Sequence, residues 1–318
     1  MKQPDITVFG GSGFLGRSLV KRLAESGYRV RVAVRNIEAA SFLKVFGDTG
    51  QVVPWPANIT QADQVANAIH GSEIVVNLVG ILFKSKHQKF NNIHEYGAKT
   101  IAECASLAGV KRLIHVSAIG AEENSPSEYG RSKAAGIKSV KSVFPNVSIV
   151  RPSVIFGAND NFFNLFAGLS RITFALPVFG CSTIPEIKFF PKGGLVSFDF
   201  YGKGGTKLQP VYVGDVADAI IRIISDPKTK GQTFDLGGPK IYSFKELMTL
   251  LLIVTGRKKL LLPIPFGLAK FIAWFLEFWP TPLLTTDQVN SLKRDNVVSD
   301  RNLGFKDLGI TPAMAETI

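Results

Sequence analysis

The stretch VFGGSGFLG, residues 8–16, constrains this chain more than any other. Gly10, Gly13 and Gly16 fall at GxxGxxG spacing behind a short β-branched run and ahead of FLGRSLVKRLAES, whose apolar residues recur at helical spacing. Strand, tight turn and helix in that order serve a definite purpose. Glycines let the backbone turn sharply, bring bare amides against a ligand and let helix pack closely on strand. The N-terminus of the helix then attracts negative charge. The loop predicts a diphosphate cradle at the first crossover of a parallel sheet, with Gly10, Gly13 and Gly16 shaping it.

The rest of the first half fits that beginning. Strand-like runs near 5–10, 29–34, 51–55, 74–80, 112–119 and 147–157 alternate with the amphipathic stretches QADQVANAIH, HEYGAKTIAECASLAG and YGRSKAAGIKSVKSV. This alternation predicts an α/β fold: a Rossmann-like doubly wound parallel sheet over residues 1–158, with ligands at the carboxyl ends of the strands. A smaller, mostly helical C-terminal lobe follows over 159–318, with residues of about 208–240 packing back on the sheet. Residues 159–207, rich in Phe, Gly, Pro and Lys, read as a loop or hairpin excursion. In LQPVYVGDVADAIIRII a strand-like run meets Asp215, a helix cap or first-turn acid.

Composition narrows the function classes. Cys104 and Cys181 lie far apart without CxxC spacing, so neither a disulfide framework nor a zinc knuckle is expected. His70, His87, His94 and His115 form no HxxxH pattern, and no metal site is expected. The formal charge of +12 favours an anionic partner. The basic residues are scattered and accompany no zinc-finger or helix-turn-helix pattern, which argues against nucleic acid. MKQPDITVFGG lacks the layout of a secretory signal, so a cytoplasmic location is expected.

The second strand decides which dinucleotide suits the loop. An acid at its end would bond a ribose 2′-hydroxyl, but RVRVAVRN places Arg35 there, with no acid before Glu38. A guanidinium favours the 2′-phosphate of NADP(H), with NAD(H) left open. Asn58 stands where an adenine contact is expected, and Leu78, Val79 and Gly80 offer a small cofactor floor after the fourth strand.

SEYGRSK, residues 127–133, adds chemistry. Tyr129 and Lys133 lie four apart, on one face if the segment is helical, and Ser117 ends the preceding strand. Such a triad suits acid/base work on a carbonyl or alcohol. Bringing a phenol from about 10 to neutrality requires roughly 4 kcal/mol of differential stabilisation, which a nearby ammonium and a cationic nicotinamide can supply.

With GGSGFLG, HVSAIGA, YGRSKAAG and RPSVIFG together, the chain resembles the extended or atypical short-chain dehydrogenase/reductase superfamily. NFFNLFA (161–167), LQPVYVGDVADAI (208–220), TFDLGGPKIYSFKEL (233–247) and LLTTDQVNSLKRDNVVS (283–299) are similar to the nucleotide-binding accessory subunit of respiratory complex I and its bacterial relatives. That resemblance implies a structural NADPH and docking on peripheral-arm subunits of complex I, near the inner face of the energy-transducing membrane. It also implies that Gly10, Gly13, Phe14 and Leu15 contact the pyrophosphate, that Tyr129 and Lys133 hold the nicotinamide ribose, and that the backbone and Ser153 contact the cofactor near the nicotinamide. The alternative is a working reductase or nucleotide-sugar epimerase/dehydratase with Tyr129 as acid/base. Residues 181–200 are longer than the family's usual connection, and Ile137 stands where a glutamate is common.

LLLPIPFGLAKFIAWFLEFWPTPLL, residues 260–284, is the most apolar stretch, but prolines and charges interrupt it too often for a membrane span. Phe271, Trp274, Phe275 and Phe278 recur at helical spacing. They suit either a buried face in the C-terminal lobe or an exposed face for peripheral membrane contact.

Overall fold

The computed structural model describes residues 5–85, 88–182, 186–189, 196–299 and 302–317. In the first half, strands and helices alternate as β1 (Asp5–Phe9), α1 (Phe14–Glu25), β2 (Arg29–Val34), β3 (Val52–Pro56), α2 (Ala62–Ile69), β4 (Ile74–Asn77), a π-helical turn (Asn91–Gly97) running into α3 (Ala98–Leu107), β5 (Arg112–Val116), α4 (Glu128–Val143) and β6 (Ser148–Pro152). The second half holds β7 (Ile155–Phe156), α5 (Phe162–Ile172), β8 (Ala175–Phe179), β9 (Glu186–Phe189), β10 (Val196–Asp199), β11 (Lys207–Leu208), β12 (Val211–Tyr212), α6 (Val213–Ser225), β13 (Thr233–Leu236), β14 (Tyr242–Ser243), α7 (Phe244–Val254), β15 (Leu260–Ile264), α8 (Phe266–Leu276) and α9 (Thr286–Ser291).

Seven parallel strands form the central sheet in the order β13-β6-β5-β4-β1-β2-β3. Alternation along each strand divides the side chains between two layers. Ile6, Val8, Val30, Val32, Ile74, Val76 and Ile114 pack with α1 and α6. Phe9, Ala33, Val75 and Leu113 pack with α2, α3 and α4 on the other face. The strand order reverses between β1 and β4, and that switch point opens a crevice at the carboxyl ends of the strands. The α/β, Rossmann-like expectation therefore describes the molecule.

Both edges of the sheet are protected. β3 carries Pro54 and Pro56, which suit an edge because they donate nothing to a further strand. Along β13, Phe234 bridges to Leu303, and the Asp235 amide donates to the Leu303 carbonyl at 2.8 Å.

Residues 159–207, expected as a loop or hairpin excursion, contain more regular structure than that before residue 180. They supply α5 and β8, and β8 pairs in parallel with β15, some eighty residues on. Phe166, Leu176, Val178, Phe244, Leu247 and Met248 close a third core there. The 181–200 excursion contains the antiparallel pair β9 and β10, while residues 183–185 and 190–195 lie outside the described residues, as does His87. Asp215 stands in the first turn of α6, where its carboxylate accepts the Ala313 amide at 2.7 Å.

Candidate functional site

The glycine loop sits at the switch point. Gly10 has φ +79°, a left-handed conformation open to glycine, and a side chain there would meet the backbone of Leu78 and Val79 at 3.2 Å. A Cβ on Gly16 would collide with the Gly10 carbonyl and Gly11 Cα. The loop is thus folded tightly on itself, with the Gly13 amide donating to the Gly10 carbonyl at 3.0 Å. Gly13 caps α1 without any side-chain bond, and the first turn contains no acid. The amides of Phe14, Leu15 and Gly16 therefore begin the helix without a capping side chain, a fit for a diphosphate.

Arg35 is exposed just beyond β2. Arg17, on the first turn of α1, stacks over Phe42 at 4.7 Å and donates to the Ser12 carbonyl at 3.0 Å. Asn58 turns its amide oxygen back on the Thr60 N–H and hydroxyl, at 3.2 and 3.0 Å. After β4, Leu78 bonds through its amide to the Phe9 carbonyl, and the Val79 amide donates to Asn77 Oδ1 at 3.0 Å. Gly80 lies against Lys133: a Cβ there would stand 2.9 Å from the lysine Nζ, which would have to shift. The turn after β4 and helix α4 are therefore side by side.

Tyr129 and Lys133 lie one turn apart on α4, as the spacing requires. Lys133 is buried, and its ammonium reaches the Val116 carbonyl at 3.4 Å. Burial lowers it to about 8. Tyr129 keeps some exposed surface, but Phe90 and His94 present their rings at 5.9 and 5.4 Å, and desolvation pushes the phenol up to about 12. The sequence suggested a phenol drawn toward neutrality by its lysine together with a cationic nicotinamide. Within the protein alone, burial raises the phenol and lowers the ammonium, because it disfavours each charged form.

Polar groups around the pair are arranged in two short chains. His94 accepts the Ile81 amide on Nε2 at 3.0 Å, so Nδ1 carries the proton shared with Ser132 Oγ at 2.8 Å, and that hydroxyl donates to the Tyr129 carbonyl. Desolvation first, then the charge of Lys133 and His115, lowers His94 to about 2, which keeps it neutral. His115 is lowered to about 3, by burial first and then by Lys133. Asn77 donates to His115 Nδ1 at 3.1 Å, which leaves the proton on Nε2. That Nε2 and the Ser117 hydroxyl are buried without hydrogen-bond partners, two residues apart on one face of the β5 end. Buried orphans of this kind beside Lys133 mark a place where polar ligand atoms fit.

Residues 10–144 match a family model described as NAD(P)H-binding. Over 96% of its length the chain is 33% identical to the mitochondrial NADH dehydrogenase (ubiquinone) 1 alpha subcomplex subunit 9 of Arabidopsis thaliana, covering 74% of that protein. The subunit of the same name from Mus musculus is 34% identical over 98% of this chain and 77% of its own length. This chain belongs to the subunit 9 family of respiratory complex I. In fold it is also similar to an NADPH-dependent quinone oxidoreductase from Escherichia coli, solved with NADPH, at TM-score 0.70, 16% identity and coverage of 98% and 97% of the two chains.

In this subunit 9 family member the C-terminal segment crosses the site, a feature the sequence did not suggest. Ser153, expected beside a nicotinamide, donates its hydroxyl to the carbonyl and side-chain oxygens of Asn296 at 3.0 and 2.6 Å, while its amide bonds the Leu236 carbonyl. It fastens the segment. Arg294 pairs with Glu122 at 2.6 Å, and Asp287 accepts the amides of Glu128 and Tyr129 at 2.6 and 2.9 Å. Asp287 and His94 are the two neighbours of Tyr129 that motif spacing missed. The aspartate lies 158 residues from the tyrosine, so nothing in a linear pattern joins them.

The aromatic run behaves unlike a core helix. α8 buries Ala269 and Ala273, whereas Phe271, Trp274, Phe275, Phe278 and Trp279 are all at least half exposed. The buried-face reading is therefore corrected: the small residues face the lobe and the rings face outward. Among the described residues no helix is long and apolar enough to cross a membrane.

Proposed function

We propose that this protein is an accessory subunit of a complex I-type assembly and holds NADP(H) as a structural ligand. One observation carries the reading: the likeness to subunit 9 proteins runs through the C-terminal lobe as well as the nucleotide-binding half, over 96% of the chain. In this reading the amides of Phe14, Leu15 and Gly16, presented by the turn at Gly10 and Gly13, hold the diphosphate. Arg35 takes the 2′-phosphate, Asn58 lies toward the adenine, and Leu78, Val79 and Gly80 form the floor. Tyr129 and Lys133 grip the nicotinamide ribose. When bound, the nucleotide would supply hydride chemistry, but the displaced Tyr129 and Lys133 favour holding over proton transfer. The partners are peripheral-arm subunits of complex I. The exposed rings of α8, with Lys258, Lys259 and Lys270 nearby in sequence, rest peripherally against the inner face of the energy-transducing membrane.

Mild-detergent native purification tests this. The protein should migrate with respiratory subunits and release NADP(H) on heating; wholly free migration would remove its support. The unpartnered Ser117 hydroxyl, set near Tyr129 and Lys133, favours a second reading: a reductase or epimerase with Tyr129 as acid/base. Turnover of a carbonyl or sugar-nucleotide substrate that Tyr129→Phe abolishes would establish it.

A further inference from the structure

Helix α4 presents its N-terminus beside the cleft, and both oxygens of one distant carboxylate occupy it. Asp287 Oδ1 accepts the Glu128 amide at 2.6 Å and Oδ2 accepts the Tyr129 amide at 2.9 Å, while Ser127 Oγ caps the Gly130 amide at 3.0 Å. Three of the four amides that begin a helix are thus satisfied from outside it. The carboxylate is held in turn. It lies in the first turn of α9, where Thr285 and Gln288 form a reciprocal capping box. The amide and hydroxyl of Thr286 bond Glu277 at 2.5 and 2.8 Å, at the C-terminal end of α8. Beyond α9 the same strap is anchored by Asp295 on the Lys207 amide and by Arg294 on Glu122.

We propose that Asp287 is a positioning residue of the nucleotide site, acting through Tyr129. Its two bonds fix the first turn of α4 and hence the direction in which Tyr129 and, one turn later, Lys133 enter the cleft. The inference rests on the dinucleotide reading above and adds a residue of the strap to it. Its reach is specific. The adenosine half of the ligand is held by α1 and the end of β2, which Asp287 does not touch, whereas the nicotinamide half meets α4.

The test compares NADPH with adenosine 2′,5′-bisphosphate, which lacks the nicotinamide riboside, by calorimetric titration of the full chain. Asp287→Ala should weaken NADPH about tenfold, the usual range for losing a helix cap, and leave the bisphosphate unchanged. Asp287→Glu should recover part of the loss. Asp295→Ala, which loosens the same strap elsewhere, should leave both ligands as they were. Equal weakening of both ligands by Asp287→Ala, or no weakening of NADPH, would overturn the assignment. If that variant does not fold, Asp287→Asn, which keeps the shape and loses one acceptor, decides by the same ratio. A wild-type chain that binds neither ligand would instead refute the dinucleotide reading.

Discussion

The N-termini of α1 and α4 both open on the same cleft, and they are built in opposite ways. That of α1 begins at Gly13 with no side-chain cap and no acid in its first turn. That of α4 has Ser127, Glu128 and the carboxylate of Asp287. Glycine is itself a fair cap, only a few tenths of a kcal/mol short of Asp or Ser, so α1 forgoes little stability by leaving its first amides free of a capping side chain. In the proposed reading those amides bind the diphosphate, and the fastened end of α4 orients Tyr129.

The most damaging way to erase that contrast is to give α1 the carboxylate that α4 has. Gly13 has φ −74° and an exposed position, but a Cβ there meets the Gly10 carbonyl at 3.2 Å, so Gly13→Asp requires a small shift of the loop. It should weaken NADPH more than about a hundredfold by charge repulsion while changing stability by only a few tenths of a kcal/mol, because glycine is already a fair cap. Titration together with a melting curve checks both; undiminished NADPH binding by a folded variant would mean that the α1 amides do not hold the diphosphate.

Arg35→Asp should come next. It should weaken NADP(H) by roughly ten- to a hundredfold, the range for one charge-assisted bond, and NAD(H) much less. Equal losses, measured side by side, would end the preference for the phosphorylated dinucleotide.

Lys133 sharpens the comparison through pH. Its folded value near 8 lies below the ordinary lysine value of 10.5, so between the two the unfolded chain binds more protons and stability rises with pH. The ligand-free protein should therefore gain stability from about pH 8 to 10.5 relative to Lys133→Met, and below pH 8 the methionine variant should be the more stable. Denaturant midpoints across that range measure the difference.

The smallest stability change should come from α8. Trp274 is about half exposed and Phe271 more so, and replacing both with serine should shift the folding free energy by less than about 0.5 kcal/mol. Sedimentation with anionic vesicles should nevertheless fall sharply. Undiminished binding would separate these rings from any membrane contact.

The sequence made the cradle and the sheet legible because both are local. Gly10, Gly13 and Gly16 sit within seven residues, and each strand from β1 to β6 is a run of four to six residues carrying apolar, often β-branched, side chains. The Tyr129–Lys133 pair was legible for the same reason, as one turn of helix. Long-range contacts were not. β8 and β15 find each other across eighty residues, and Asp287 reaches α4 from α9. In α8 the helical period was correct but left a buried and an exposed face both open, because periodicity reports a stripe of large apolar side chains and not what covers it. Ala269 and Ala273 are the buried residues of the helix. The rings of Phe90 and His94 beside Tyr129 were not legible either, since they depend on packing that a motif does not encode.

The pairing of Leu303 with Phe234 has a consequence for biosynthesis. The outer border of the sheet stays uncovered until residues near 303 are made, long after β13, and Ser153, Glu122 and Tyr129 acquire their tethers only as residues 287–296 emerge. A nascent chain must wait with a bare, sticky margin, so chaperone engagement should persist late into translation.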